Sequence, residues 1–495
     1  MERRRAGGIL MHIASLPSPY GIGTLGKQAF DFAEFLRKAG QKYWQTLPLG
    51  PTGYGDSPYQ VFSMYAGNPY LIDLDTLIRE RLLKKSEAEA VSWGSDPRRI
   101  DYGALWRGRE PVLRKAFARS RSLRGMGAAV EDFRGQNPWV EDYALFMALK
   151  QCFGGASWLL WEDEGLRRRD EAALARYRER LREDVEYHVF AQCCFFRQWA
   201  RFKAHTAALG IRLIGDLPIY VSSDSADVWS QPRFFQLDQG LRPLYAAGVP
   251  PDYFSEDGQL WGNPLYDWDA LKAEGYKLWM DRFRAASALF DVIRIDHFRG
   301  FESYWRVPAG AKTARNGEWV PGPGLDFIHA LKANFPETEI IAEDLGEQTP
   351  GLAEFVRASG FPGIKVMQFA FDSAESTTEM PHSYPRHCVC FTGTHDNDTA
   401  AGWIKALSPR DARLAGAYLG FGRKKDAVWA LIRGGMTTAA DLFIAQMQDY
   451  LELPTGCRMN LPGAVGGNWE WRMLPGENSA GLARRIAYLT RVCQR

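Results

Sequence analysis

Short, near-continuous apolar runs recur along the chain, separated by longer stretches in which apolar residues return every third or fourth position. The runs are Gly8-Ile9-Leu10-Met11-His12, Tyr43-Trp44-Gln45-Thr46-Leu47, Ile211-Arg212-Leu213-Ile214-Gly215-Asp216, Asp291-Val292-Ile293-Arg294-Ile295-Asp296, Glu339-Ile340-Ile341-Ala342-Glu343, Ile364-Lys365-Val366-Met367-Gln368 and Cys388-Val389-Cys390-Phe391-Thr392. Runs this short that do not alternate with polar residues predict strands buried on both faces, and their interleaving with amphipathic helices predicts a parallel sheet. An eighth strand is expected before Leu461-Pro462-Gly463. Seven or eight such units favour an α/β fold of the closed (β/α)8 TIM-barrel type over an open sheet.

Two stretches break this rhythm. Residues 74–208 hold few strand signals and many Arg, Glu, Ala and Leu at helical spacing, as in Tyr143-Ala144-Leu145-Phe146-Met147-Ala148-Leu149-Lys150. They are expected to be a large helical insertion. Residues 217–290 are rich in Pro, Gly and aromatics and read as a loop-rich insertion. Because strand signals resume after each, residues 1–495 are expected to form one decorated barrel. No C-terminal β-sandwich is evident.

A chain of 495 residues can hold such a barrel. Its formal charge is +2, from 61 Lys and Arg against 59 Asp and Glu, which gives no reason to expect a nucleic-acid partner. The 17 Trp, 20 Tyr and 28 Phe fit either a packed core or a surface that stacks on sugar rings. Seven Cys without zinc or disulfide spacing are expected to be reduced, buried thiols. The segment after Met1-Glu2-Arg3-Arg4-Arg5 has no long apolar run, and no transmembrane span is evident. The expectation is a cytoplasmic protein with no membrane partner.

The candidate chemistry lies where the apolar runs stop. Arg294-Ile295-Asp296-His297, Ala342-Glu343-Asp344-Leu345-Gly346 and Thr394-His395-Asp396-Asn397 each place a carboxylate at or just beyond a strand end. In a barrel, side chains at C-terminal strand ends converge on one pocket, and converging acids can cleave a glycosidic bond. Arg294 and Asp296 share a strand face, so the guanidinium would favour an ionised, nucleophilic Asp296. Glu343 follows Ile340-Ile341-Ala342, and apolar surroundings with a like charge nearby would raise its pKa, suiting a general acid. Asp396 would bind ring hydroxyls, with His395 donating to one. Taken singly, each has another reading: a structural ion pair for Arg294 and Asp296, a helix N-terminal acid for Glu343, a turn or N-cap for Asp396.

Other motifs are weaker. Gly21-Ile22-Gly23-Thr24-Leu25-Gly26-Lys27 imitates a nucleotide-binding loop, but Gln28 stands where a P-loop needs Ser or Thr. It reads as a loop that only glycine permits. His395-Asp396-Asn397-Asp398 lacks paired metal-ligand spacing. Neither a metal nor another cofactor is expected. Ser15, Ser57 and Ser63 have no nucleophile-elbow context.

The three acidic segments, extended to Arg294–Gly300, Ala342–Gly346 and Gly393–Asp398, resemble the signatures of 4-α-glucanotransferases, the amylomaltase or disproportionating-enzyme family related to the α-amylases. The resemblance also runs through His12–Gly21, Gly50–Tyr59, Gly215–Tyr220, Gly248–Phe254, Leu260–Pro264 and Asn468-Trp469. It implies Asp296 as nucleophile, Glu343 as acid/base and Asp396 as transition-state stabiliser. It further implies Arg294, Asp216 and His395 as sugar binders and Tyr59 as a stacking partner. The implied substrates are α-1,4-glucans and malto-oligosaccharides, with glucose or maltose as acceptor. The wider α-amylase pattern has a His shortly after the third-strand Asp; here Asp216 is followed by Leu217-Pro218-Ile219-Tyr220-Val221. That departure argues for transfer over hydrolysis. Within 248–264, Pro250 and Pro251 stiffen a segment expected to overhang the pocket, where Tyr253, Phe254 and Trp261 would favour an acceptor sugar over water.

Overall fold

The computed structural model of the chain describes residues 5–53, 55–123, 125–251, 255–346, 349–371, 379–464 and 466–495. Eight strands build the central sheet: β1 (Ala6–Leu10), β2 (Tyr43–Gln45), β3 (Arg212–Pro218), β4 (Val292–Asp296), β5 (Glu339–Ala342), β6 (Gly363–Val366), β7 (Cys388–Phe391) and β8 (Leu442–Gln446). Every pairing is parallel, in the order β6-β7-β8-β1-β2-β3-β4-β5. The two ends of that order, β5 and β6, meet across a seam. Ala342 N–H donates to Pro362 O at 2.9 Å, and Ile364 N–H donates to the Asp344 carboxylate at 2.8 Å. Asp344, read from the sequence only as a neighbour of Glu343, thus clasps the closed barrel.

The absence of alternation in the strands has a direct cause. Leu10, Ile214, Val292, Ile341, Ile364, Val389, Phe391 and Ile444 fill the barrel interior. The intervening Ile9, Leu213, Ile293, Ile295, Ile340, Cys388, Cys390 and Phe443 face the helical layer. Both faces are dry, so both sets are apolar. The outer layer includes Lys27–Lys38, Arg182–Ala208, Lys277–Leu289, Gly324–Asn334, Pro350–Ser359, Ala427–Thr437 and Ala480–Val492. All seven Cys are free thiols; six are buried and Cys152 is exposed.

The eighth strand ends at Gln446, well before Leu461. No strand follows it among the described residues. Between 74 and 208 the chain forms helices, including Tyr102–Ser120, Met126–Gln136 and Trp139–Cys152. The last of them, Arg182–Ala208, packs on β3 and on Lys27–Lys38, so it belongs to the barrel's own layer.

The segment 217–290 departs from the loop-rich expectation. Strands Tyr245–Val249 and Gln259–Pro264 pair antiparallel and extend through Ser303–Pro308 to Glu318–Pro321, forming a second, four-stranded sheet. These strands carry Gly and Pro, and half of the sheet lies on the far side of β4 in sequence. A local pattern cannot reveal a ladder whose partner strands are that distant.

Candidate active site

In the ladder from β3 to β4, Asp216 is in register with Arg294 and Pro218 with Asp296; from β4 to β5, Ile295 is in register with Ala342. Asp216, Arg294, Asp296 and Glu343 therefore meet at adjacent strand ends. Arg294 Nη1 donates to both Asp216 carboxylate oxygens at 2.6 Å and to Asp296 Oδ1 at 2.9 Å. Arg294 and Asp216 are buried. Removing one partner of such a buried pair typically costs about 3–5 kcal/mol, because the other charge is left stranded. Burial opposes the charge on Arg294, but Asp216 and Asp296 outweigh it and hold the guanidinium protonated.

Glu343 is gripped by backbone. His297 N–H donates to Oε2 at 2.7 Å and Leu345 N–H donates to Oε1 at 2.8 Å. His297 follows Asp296 directly and adopts a left-handed conformation, with φ of 51°, that a non-glycine residue keeps only when its surroundings impose it. The Glu343 carboxyl is thereby fixed against the peptide that follows Asp296. Burial, and next the negative charge of Asp296, push the Glu343 pKa up to about 8, against the pull of Arg294 and the two amides. Asp296 is also pushed up by burial, to about 6, which Arg294 only partly offsets. Arg294 favours the ionised form, in the direction its place on the strand face implies, but burial is the larger effect. With 26% of its side chain open to the cleft, Asp296 keeps more contact with water than Glu343, which favours ionisation of its carboxyl before that of Glu343.

Asp396 comes from the loop after β7. The Asn397 side-chain oxygen accepts from Thr394 N–H at 2.8 Å and from Thr394 Oγ1 at 3.0 Å, closing a tight turn around His395 and Asp396. Asn460 Nδ2 donates to Asp396 Oδ1 at 2.6 Å, and His395 Nε2 lies 3.3 Å from the same oxygen. Arg458 bonds the Asp396 carbonyl and, at 2.6 Å, that of Asn460. Beside this group, Tyr59 stacks on His395 with ring centroids 5.0 Å apart and donates its hydroxyl to Asp216 at 2.8 Å. Trp469 closes the aromatic trio at 5.8 Å from Tyr59 and 5.9 Å from His395.

Tyr59 and Asp216 line a neighbouring cavity, while Arg294, Asp296, His297, Glu343 and Asp396 line a cleft of about 1620 Å³. Val249, Pro250 and Pro251 also line it, so the proline-stiffened segment borders the cleft. Trp261 packs edge-on against His297 at 4.8 Å, with Tyr220 at 6.2 Å, beside the cleft. Tyr253 and Phe254 lie outside the described residues. Sequence reasoning passed over Asn460, Arg458 and His297. Two faint signals existed: Asn460 immediately precedes the Leu461-Pro462-Gly463 turn, and His297 immediately follows Asp296.

The glycine-rich segment 21–27 has a structural explanation. A Cβ on Gly23 would lie 1.9 Å from Ile13 O, and one on Gly26 would lie 2.1 Å from an Asp73 carboxylate oxygen, so neighbouring backbone at the first and a buried side chain at the second leave room only for glycine. Among the described residues no group of His, Cys, Asp or Glu is arranged to hold a metal ion.

The site can perform two-step displacement at a sugar carbon: one carboxylate that ionises first, one held protonated nearby, and a third carboxylate oriented toward the same space. Comparison with known proteins points the same way. Residues 11–477 match the family model described as 4-alpha-glucanotransferase. A 4-alpha-glucanotransferase of Thermus thermophilus is 47% identical over 505 residues, covering 100% of both chains. One from Clostridium butyricum is 45% identical over 487 residues, covering 97% of this chain and 99% of the relative. An amylomaltase from Streptococcus agalactiae, solved in complex with acarbose, superposes with a TM-score of 0.97 at 40% identity, covering 99% of this chain and 100% of the other.

Proposed function

We propose, for a chain that belongs to the 4-alpha-glucanotransferase family, that Asp296, Glu343 and Asp396 move an α-1,4-glucan segment by double displacement. The activity is that of a 4-α-glucanotransferase. What supports the assignment of roles is the geometry of the two neighbouring acids: Asp296 is ion-paired with Arg294 and partly open to the cleft, while Glu343 is buried and fixed by the His297 and Leu345 amides, where burial and the Asp296 charge push its pKa up. Near neutral pH the first is ionised while the second still holds its proton.

A donor glucan lies in the cleft with one glycosidic bond over these acids. The Asp296 carboxylate attacks the anomeric carbon from one face, and Glu343 gives its proton to the departing glycosidic oxygen. The C1–O4 bond breaks, an ester forms between C1 and Asp296, and the segment on the far side leaves with the proton. The 4-hydroxyl of an acceptor then gives its proton to Glu343 and attacks C1, expelling Asp296 as carboxylate. Two inversions restore the α configuration. Asp396, oriented by Asn460 and His395, binds ring hydroxyls as the sugar flattens toward its charged transition state. Arg294, Asp216, His395 and Tyr59 hold the same ring. Tyr253, Phe254 and Trp261 are assigned to the acceptor side, where the wall through Pro250 and Pro251 limits access of water to the ester.

Malto-oligosaccharides serve as donors, and glucose or maltose as acceptor. The protein works in the cytoplasm as one decorated catalytic barrel. Incubation with maltotriose tests the reading. Glucose together with a ladder of longer oligomers, at constant total reducing ends, supports it. A rise in reducing ends equal to the bonds cleaved would identify a hydrolase instead.

A further inference from the structure

The second sheet carries a feature that the three acids do not use. Trp305 and Trp319 are directly opposed in its antiparallel ladder, so their side chains share one face. Their rings meet edge to face at 5.4 Å, and both line the cleft. Trp319 is nevertheless 37% exposed. The guanidinium of buried Arg299 lies 4.2 Å from the Trp319 ring centroid and supports one side of it. Arg299 stands three positions after Asp296, in the 3-10 turn Phe298–Phe301. Support by a cation and a second indole fixes the ring plane, and Trp319 borders the same cleft as Asp296 and Glu343.

The neighbouring positions keep this face clear. Gly248 is in register with Trp305, so no side chain rises beside it on the next strand. Trp305 Nε1 donates to Ala314 O at 2.8 Å. A Cβ on Gly317 would come within 2.4 Å of the Trp305 ring; glycine there lets the indole lie flat. An exposed large aromatic in a cleft, held on one side and open on the other, matches a sugar ring, whose C–H face packs on an electron-rich ring while its hydroxyls stay wet.

We infer that Trp319, buttressed by Trp305 and Arg299, is the stacking platform for an acceptor glucose unit beyond the one at the acids, and that it sets acceptor-length preference. The inference rests on the glucanotransferase reading and adds a specificity residue to it. The acceptor side is assigned because Gly248 and Val249, at the start of the 248–264 segment, belong to the same sheet.

The test uses the full-length enzyme, amylose as fixed donor, and glucose, maltose and maltotriose as acceptors. For Trp319→Ala, the ratio of kcat/KM with maltotriose to that with glucose is expected to fall about tenfold, as for loss of an aromatic anchor, with the change in KM rather than kcat. Trp319→Tyr, which keeps a stacking face, should restore most of the ratio. A uniform loss with all three acceptors, or a ratio unchanged in Trp319→Ala, overturns the platform. Wild-type enzyme that transfers to none of the three acceptors would instead defeat the underlying function, which separates the two failures.

Discussion

At the floor of the cleft, Asp216, Arg294, Asp296 and Glu343 belong to three adjacent strands, and each is held by another of the four or by backbone amides. Along the walls, Trp319, Pro250 and the segment around Leu461 that carries Asn460 come from parts of the chain outside the barrel strands. The floor is set by sheet register, which cannot shift by one residue without turning every inward side chain outward. The walls are set by tertiary contacts that can change without disturbing the strands. Chemistry at the floor and selection at the walls should therefore fail in different ways when altered.

The largest effect expected is at the floor. Asp296→Asn and Glu343→Gln should each lower kcat by roughly 10⁴-fold or more while oligosaccharide binding persists, because each removes a group on which a chemical step depends. Steady-state disproportionation with titration calorimetry separates the two quantities. Substantial residual turnover in either variant would reassign the roles and dissolve the distinction between floor and wall.

Asn460→Ala probes the boundary. The residue is a wall element by origin, but its amide orients Asp396 Oδ1. A loss of roughly 10- to 100-fold in kcat, with KM little changed, is expected when a reacting group is left misplaced. A pure KM effect would make Asn460 a sugar binder and Asp396 self-supporting.

The mildest perturbation is pH. Activity needs Asp296 ionised, so it should rise through about 6, and needs Glu343 protonated, so it should fall above about 8. The kcat/KM profile of the free enzyme should be bell-shaped with those two limbs. The Asp296 charge is the second cause, after burial, of the raised Glu343 value, so Asp296→Asn should lower the Glu343 titration, read by NMR of the carboxyl carbon. A Glu343 value unchanged in that variant would leave burial as its sole cause.

The floor was largely legible in the sequence. A two-residue strand period places Arg294 and Asp296 on one face, and continuous apolar runs mark strands buried on both sides. The burial that outweighs Arg294 at Asp296 was not legible, because desolvation depends on the whole surrounding fold, while only the nearest charge is visible in a motif. The walls were much less legible. The partners in the second sheet are separated by β4 and its preceding helix, so no window of sequence contains a complete ladder. Asn460 lies 64 residues from Asp396, with β8 between them. Trp319, one of 17 tryptophans, gains its meaning only from Arg299 beneath it and Trp305 at its edge. Asp344 adjoins Glu343 in an acidic motif, yet its contact with Ile364 serves barrel closure.

The central claim is that the glucan is carried on Asp296. Glu343→Gln enzyme mixed with α-maltotriosyl fluoride tests it directly, because fluoride departs without a proton from residue 343 while the resulting ester lacks a base to activate the second nucleophile. Digestion and mass spectrometry should find the maltotriosyl group on the peptide containing Asp296. A label on the peptide containing Asp396 instead, or fluoride release with no covalent adduct at any time, would contradict the account.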